Sequence, residues 1–292
     1  MTRDLTGYRV VAVHAHPDDE SIATGGTLAQ LARRGADVTV ITCTLGEEGE
    51  VIGETYAGLV NDAADQLGGY RIAEREQALR ELGVRGEFLG GAGRFRDSGM
   101  AGSPAHTNPR AFVNGWEESV DTLAARLGEL SPHLVITYGP EGGYGHPDHI
   151  RAHEITHAAA ERVEIPRIVW AVADRAEIDR AAAAIERVPE GWSAPGPGEL
   201  AAVDSYDTVV ELSEADHHAK REAMRAHATQ LWIADDSVNP TNPHAALAST
   251  SDGHTVFALS NLIAQPLMKR EHYRLGHGPA FSSRTSDLLE GL

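Results

Sequence analysis

Cysteine is nearly absent from this sequence of 292 residues: Cys43 stands alone, so no intrachain disulfide can form. No apolar run approaches the roughly 20 residues that cross a bilayer. The first residues, MTRDLTGYRVVAVHAHPDDE, contain an early acidic residue and no small-residue cleavage site, so we interpret them as a first strand and not as a signal peptide. These absences favour a cytoplasmic enzyme that is not bound to a membrane.

Basic residues are also scarce. The chain has 25 lysines and arginines against 43 aspartates and glutamates, a formal net charge of −18. Binding of nucleic acid or of an anionic membrane surface needs a basic footprint, so the charge balance argues against both. A neutral or cationic small-molecule substrate suits this field better, although surface acidity that only keeps the protein soluble is the simpler interpretation. No pattern indicates an oligomeric state.

Strands and helices alternate through the first half of the sequence. Alternation of this kind predicts an α/β fold with a Rossmann-like, mostly parallel sheet and helices on both faces. The predicted strands are apolar runs at 9–14, 37–42, 87–89, 133–138 and 168–172. The predicted helices cover about 21–34, 62–82, 116–130 and 147–162.

The alternation loosens in the last part of the chain. Residues 189–198, PEGWSAPGPG, are rich in proline and glycine and predict a loop. We therefore expect a Rossmann-like catalytic core at 1–175. A smaller C-terminal α+β portion at 176–292 is expected to pack on the core and complete the site.

Three elements are predicted within this C-terminal portion. Residues 208–212 are a candidate strand. Ser213 and Asp216 have the spacing of a capping signal for a helix that runs to about Gln230. The polar stretch 234–253 is a predicted loop and a candidate lid over the cleft.

Two short segments each contain the motif His-Pro-Asp. The first, HAHPDDE, follows the first predicted strand, and the second, GGYGHPDH, follows the fourth. In a doubly wound sheet of order 3-2-1-4-5 these strands are neighbours at the topological switch point, and ligands bind just beyond their carboxyl ends. One such motif alone would more simply be a turn or a helix start. The pair, facing across one cleft, favours a metal site.

His16, Asp19 and His149 are the candidate metal ligands in these segments. A catalytic zinc site uses three such ligands and keeps a fourth position open for water, whose pKa falls towards about 7 on the metal. One Zn²⁺ per subunit is therefore predicted, and Fe²⁺ is compatible with the same set of ligands.

Four further side chains in the two segments are candidate catalytic residues. Asp18, a carboxylate beside the metal, suits a general base for the water. His146 can stabilise the developing oxyanion or protonate the leaving amine, and Asp148 can orient its imidazole. Tyr144, in a glycine-flanked turn, can donate a hydrogen bond to the oxyanion. Together these groups indicate hydrolysis and not binding alone.

Other residues of similar chemistry have simpler interpretations. His14 is expected to end its strand structurally, and Cys43 is expected to be a small core residue. The pair His217-His218 is predicted on a solvated helix face. His153 and His157 are expected to be structural.

Together these segments resemble the LmbE-like, or phosphatidylinositol-glycan-L-type, zinc deacetylases. The pair HPDDE and HPDH is typical of the whole family. The resemblance covers most of the chain and includes 42–53, 65–72, 89–102, 226–230 and 258–273. The stretches GEEGEVIG and RDSGMAG are most similar to the branch that deacetylates N-acetylglucosaminyl-inositol in mycothiol biosynthesis.

The resemblance implies a zinc-dependent deacetylase that converts this small amino-sugar inositol to its free amine and acetate. It implies the same metal ligands and general base, and adds Glu50, Arg71 and Asp97 as contacts to the sugar and inositol hydroxyls. Charged side chains that make several hydrogen bonds suit such a ligand. One departure is Gly139, where the related motif usually carries an aspartate; Glu141 is a candidate replacement.

Two other functions stay open at this level. A mycothiol S-conjugate amidase cleaves a bulkier acyl group at a related bond, and the sequence gives no view of the acyl pocket. The other is a non-catalytic nucleotide- or sugar-binding module of similar fold. The first predicted strand is not followed by Gly-x-Gly-x-x-Gly, which counts against dinucleotide binding. Such a module also has no use for Asp18 beside a metal.

Overall fold

The protein is described here by a computed structural model that covers residues 3–242, 244–282 and 287–292. The helices within these residues are α1 Asp19–Arg33, α2 Leu67–Leu82, α3 Trp116–Leu130, α4 Gly142–Gly145, α5 Pro147–Ala160, α6 Arg175–Ala183 and α7 Glu214–Ala226. The strands are β1 Arg9–His14, β2 Asp37–Thr42, β3 Arg85–Phe88, β4 Leu134–Tyr138, β5 Arg167–Val172, β6 Ile185–Arg187, β7 Thr208–Glu211, β8 Leu231–Ile233, β9 Ser249–Thr250, β10 Thr255–Leu259, β11 Gln265–Leu267 and β12 Arg270–His277.

A central sheet of seven strands has the order β3-β2-β1-β4-β5-β12-β7. Its first five strands run parallel, whereas β12 pairs antiparallel with β5 and with β7. The predicted order 3-2-1-4-5 and the mostly parallel α/β class are therefore confirmed. Two strands from the C-terminal part extend this same sheet, and the remaining strands form two small antiparallel sheets, β11-β10-β8 and β6-β9.

Strand β1 is buried on both faces because it lies inside the parallel part of the sheet. Successive side chains of a strand point to opposite faces. Val10 and Ala12 pack in one core with residues of α1, α2 and α7, and Val11 and Val13 pack in a second core with residues of α3 and α5. Helices therefore cover both faces of the sheet, as predicted.

Two predicted helix ends are confirmed. Ser213 caps α7: its hydroxyl accepts a hydrogen bond from the Asp216 backbone N–H at 3.3 Å, and the Asp216 carboxylate accepts the Ser213 N–H at 3.1 Å. Helix α2 ends at Gly83, which adopts the left-handed conformation with φ 70°.

Other predicted boundaries are wrong. Helix α2 begins at Leu67 and not near 62, because Asp65 lies at φ 49° and interrupts a helical path. Helix α7 ends at Ala226 and not near 230, because His227 leaves the helical conformation at ψ 54°.

The expectation of a solvated His217 is also wrong. Its side chain is 8% exposed, and its Nε2 lies 3.5 Å from the Leu267 carbonyl, because this face of α7 packs against β11. The neighbouring His218 is exposed. His14 and Cys43 are buried in the interior, as expected. Within the described residues, no helix is long and apolar enough to cross a membrane.

Candidate metal centre and active site

The carboxyl ends of β1 and β4 bring the two His-Pro-Asp segments together. The strands are paired neighbours. The first segment continues from β1 into the start of α1, and the second forms the turn α4 and the first turn of α5. The two segments therefore meet at the switch point of the sheet, as predicted.

His16, Asp19 and His149 have polar atoms within 3.4 Å of one another, and a ring nitrogen of His146 lies within 4.8 Å of those of His16 and His149. His16 Nδ1 lies 3.3 Å from His149 Nε2 and 3.4 Å from Asp19 Oδ2, and His149 Nε2 lies 3.3 Å from Asp19 Oδ1. Two tetrahedral ligands that are each about 2.0–2.1 Å from a metal ion lie about 3.3–3.4 Å apart, which is the spacing of the two imidazole nitrogens. The Asp19 carboxylate places a different oxygen beside each of them, so it closes the group on a third side.

The outer nitrogens of both imidazoles support this assignment. His149 Nδ1 lies 3.2 Å from the Gly142 carbonyl, and His16 Nε2 lies 3.3 Å from Asp148 Oδ2. Both partners are acceptors, like those that usually bind the outer N–H of a metal-ligating histidine. In a neutral imidazole with its proton on this outer nitrogen, the inner nitrogen, which faces Asp19, has the lone pair that a metal needs.

Carboxylates surround His16 on its other side. His16 Nε2 is 3.6 Å from Asp97 Oδ1, and His16, Asp97 and Asp148 form a buried group whose polar atoms lie within 4.8 Å. Burial lowers the pKa of His16, but Asp97, Asp148 and Asp19 raise it well above its usual value. This concentration of negative charge favours a cation at the centre.

Tyr138, the last residue of β4, is a part of the site that the sequence analysis missed. Its hydroxyl donates to Asp19 Oδ2 at 2.6 Å and accepts the Ala15 N–H at 2.8 Å, and its ring stacks on His149 with centroids 4.2 Å apart. Tyr138 therefore holds two of the three candidate ligands. Its position as the final residue of the switch-point strand was the only signal in the sequence.

Asp18 directly precedes the candidate ligand Asp19 and is not itself one of the three candidate ligands. Its carboxylate is 3.1 Å from Arg71 Nη2. Burial raises the pKa of Asp18 to about 6. The positive charge of Arg71 opposes this rise, and the negative charge of Asp19 adds to it. A carboxylate with a pKa close to neutrality can both accept and return a proton, as a general base must.

His146 is held as a neutral hydrogen-bond donor. Its Nδ1 accepts the backbone N–H of Asp148 at 3.1 Å, so the proton lies on Nε2. Burial, followed by His16 and His149, lowers the pKa of His146 to about 3. The expectation that the Asp148 carboxylate orients His146 is wrong, because that carboxylate contacts His16 and the Ser98 N–H instead. The backbone of Asp148 orients His146.

Tyr144 stands at the mouth of the site. Its side chain is 59% exposed, and its ring centroid lies 5.1 Å from that of His149. The flanking Gly143 and Gly145 have φ values of 70° and 88°. These left-handed conformations suit glycine and let the short turn present the phenol to the cleft.

The three residues implied as substrate contacts occupy two different environments. Arg71 and Asp97 are each 3% exposed and lie at the metal centre. Arg71 donates to the carbonyl of Gly46 at 2.9 Å as well as pairing with Asp18. Glu50 is exposed and lines a separate polar cleft of about 530 Å³.

Glu141 folds back over Gly139. A Cβ added to Gly139 would lie 2.9 and 3.0 Å from the two Glu141 carboxylate oxygens. The Glu141 carboxylate therefore takes up the space that a side chain at 139 would need.

A second, mostly apolar cavity of about 660 Å³ adjoins the metal centre. Asp19, His149 and Tyr144 line it on the side of the candidate metal centre, and its walls include Met224 and Phe257. The described part of the candidate lid at 234–253 lines neither this cavity nor the polar cleft. Some of its residues instead line a third pocket, together with Trp192 and Trp232.

Residues 11–160 match the family model described as PIG-L, GlcNAc-PI de-N-acetylase. A protein of Corynebacterium glutamicum is 62% identical over 293 residues, which covers 100% of this chain and 99% of the relative. A protein of Corynebacterium efficiens is 61% identical over 296 residues, covering 100% and 95%. Both are described as 1D-myo-inositol 2-acetamido-2-deoxy-alpha-D-glucopyranoside deacetylase.

A solved structure has the same fold. It is the triple mutant of a deacetylase from the teicoplanin biosynthetic pathway, with a TM-score of 0.52 and 22% identity over 76% of this chain and 82% of that chain. At this identity the likeness concerns the fold alone.

Proposed function

The chain belongs to the PIG-L family of GlcNAc-PI de-N-acetylases, and from this membership we propose that it deacetylates 1D-myo-inositol 2-acetamido-2-deoxy-alpha-D-glucopyranoside. The reaction is hydrolysis of the N-acetyl amide to acetate and the free amine. The observation that carries the proposal is the identity of 61% and 62% to two relatives of that description, over the whole of this chain. The carboxylate of Asp18 and the neutral imidazole of His146 lie beside the candidate metal ligands and supply the acid–base chemistry that amide hydrolysis needs.

We propose that the cation is Zn²⁺, held by His16, Asp19 and His149, with Fe²⁺ as an acceptable substitute. The spacing of the imidazole nitrogens and the acceptors that face their outer nitrogens support this assignment. When bound, such an ion lowers the pKa of a water molecule and polarises the acetyl carbonyl.

The protein's own groups then divide the proton transfers between them. Asp18 accepts a proton from the water whose oxygen bonds to the acetyl carbonyl carbon. His146 donates a hydrogen bond from Nε2 to the oxygen that becomes negative, with Tyr144 as a second donor. His146 is neutral and its Nδ1 is occupied by the Asp148 N–H, so protonated Asp18 is the better source of the proton that the leaving amine takes as the C–N bond breaks.

The substrate hydroxyls are proposed to bind to the charged side chains Arg71, Asp97 and Glu50. Arg71 and Asp97 lie beside the reacting groups, and Glu50 lines the polar cleft. The residues 176–292 are proposed to complete the site, since Met224, Phe257 and Leu267 line the apolar cavity. A cytoplasmic location stays a prediction.

The test is acetate release by the purified, zinc-loaded protein, with free amine measured in parallel. The proposal expects equal amounts of acetate and amine from the glucosaminyl-inositol substrate, and much slower turnover of N-acetylglucosamine, which lacks the inositol. Remote binding contacts contribute to catalysis and not only to affinity. No acetate release from the inositol substrate would overturn the proposal.

A second candidate, a mycothiol S-conjugate amidase, is favoured by one observation. An acetyl group needs only a small part of a cavity of about 660 Å³, so the apolar space beside Asp19 and His149 has room for a bulkier acyl group. Comparing kcat/KM for the acetylated substrate and for a mycothiol conjugate separates the two functions. Faster cleavage of the conjugate would make the amidase the main activity.

A further inference from the structure

The segment Ala226–Gln230 has no part in the mechanism above, yet its side chains bond to three separate parts of the site. The contacts are His227 Nε2 to Glu20 Oε1 at 2.8 Å, Thr229 Oγ1 to Glu74 Oε2 at 2.7 Å and Gln230 Nε2 to the Glu50 carbonyl at 3.1 Å. Of these three contacts, the one from His227 leads to the candidate base.

Asp18 has a backbone conformation that residues with a Cβ rarely adopt, at φ 118° and ψ −32°. Such a conformation persists only where its surroundings hold it. The Asp18 carbonyl accepts the N–H groups of Ser21 and Ile22, both at 2.9 Å, as α1 begins. The Asp18 N–H donates to Glu20 Oε2 at 3.1 Å.

Glu20 is itself fixed in place. It is 0% exposed, and its other oxygen, Oε1, is bound by His227 Nε2 at 2.8 Å and by the Ser21 hydroxyl at 2.7 Å. The carboxylate cannot rotate without breaking these bonds. Oε2 therefore stays directed at the Asp18 N–H.

The peptide between Pro17 and Asp18 is thus held on both sides. Arg71 donates to its Pro17 carbonyl and contacts the Asp18 carboxylate, and Glu20 accepts its Asp18 N–H. Loss of the contact to Glu20 leaves this peptide held from the Arg71 side alone.

We propose that Glu20, oriented by His227, is a positioning residue that holds Asp18 in its positive-φ conformation and so directs the base at the attacking water. The inference rests on the proposed function, because it takes Asp18 as the base. Misplacement of a reacting group by about 1 Å can lower the rate on the order of 10²-fold. A buried pair that only stabilised the packing of α7 on α1 would leave kcat unchanged in the folded protein.

The test compares two replacements of nearly equal size. Glu20→Gln keeps an oxygen that can accept the Asp18 N–H, and Glu20→Met does not. We expect Glu20→Met to lower kcat by about 10–100-fold, with KM and bound metal close to wild type. Glu20→Gln should recover most of kcat.

Thr229→Val is the matched control. It removes a buried hydrogen bond to a carboxylate in the same segment, but Thr229 bonds to neither Asp18 nor Glu20. Its kcat should stay close to wild type. If Glu20→Met does not fold, His227→Leu and His227→Gln are compared by the same criteria, because only the glutamine can still donate to Glu20.

Four results would overturn the inference. The first two are an unchanged kcat in Glu20→Met and an equal loss of kcat in Glu20→Gln. The other two are a loss of kcat that parallels a loss of bound metal, and a similar loss in Thr229→Val. A wild-type protein that releases no acetate would overturn the proposed function, and the inference with it. An active wild type with an equally active Glu20→Met would overturn the inference alone.

Discussion

Replacing Tyr138 by phenylalanine removes a single oxygen atom from the support of the candidate metal site. That oxygen donates to Asp19 at 2.6 Å and accepts the Ala15 N–H at 2.8 Å, and Tyr138 is 5% exposed. The ring that stacks on His149 is retained. Tyr138→Phe therefore separates the hydrogen bonds from the packing.

The expected magnitude follows from these contacts. A hydrogen bond to a charged group contributes about 1.5–3 kcal/mol, and a buried N–H left without an acceptor costs about 1–3 kcal/mol. Loss of a group that orients a metal ligand lowers metal affinity by about 10–100-fold, or about 1.4–2.8 kcal/mol at 1.4 kcal/mol per tenfold. Tyr138→Phe should show a loss of metal affinity in this range, together with a lower free energy of unfolding.

Metal affinity is measured by competition with a chelator of known affinity, and the free energy of unfolding by urea titration of the metal-free protein. Tyr144→Phe is the control, since it also removes a phenol oxygen near His149 but from an exposed ring. Its metal affinity should match wild type. Wild-type metal affinity in Tyr138→Phe would refute the role assigned to the Tyr138 hydroxyl in orienting Asp19.

Three further predictions concern single side chains. Asp18→Ala should keep its bound metal and lose about 10²–10⁴-fold in kcat, as expected for a general base; metal analysis beside steady-state kinetics checks this, and loss of the metal would make Asp18 a ligand. His146→Ala should lose about 10²–10³-fold in kcat, as for an oxyanion donor, whereas His146→Gln, which keeps an N–H donor, should lose less; equal losses would contradict the donor role. Lys220 Nζ lies 2.6 Å from Glu271 Oε1, and both side chains are buried. Lys220→Met leaves this carboxylate without its cation and should lower the free energy of unfolding by about 3–5 kcal/mol. An unchanged midpoint of urea unfolding would contradict this.

Local patterns in the sequence predicted the parallel part of the sheet and the meeting of the two His-Pro-Asp segments. Buried apolar runs such as β1 mark strands, and the order of parallel strands follows from their helical crossovers. The position of β12 beside β5 was not predicted, because antiparallel pairing across about a hundred residues of chain leaves no local signal.

The partners of individual side chains also could not be read from the sequence. His217 and His218 are adjacent and chemically identical, yet only His217 is buried, because the packing of α7 decides between them. Asp148 was identified as a site residue, but the first turn of α5 decides that its carboxylate contacts His16 while its backbone N–H contacts His146. The contact between Glu20 and His227 joins residues 207 positions apart.

Hydrolysis is proposed to depend on one metal ion held by His16, Asp19 and His149. The most direct measurement is the metal content of protein purified without added metal, with acetate release followed before chelation, after it and after Zn²⁺ is restored. We expect about one transition-metal ion per chain, loss of turnover on chelation and its recovery with Zn²⁺. Fe²⁺ in place of zinc would agree with this metal dependence. Protein that contains no transition metal and keeps its turnover in the presence of a chelator would contradict it.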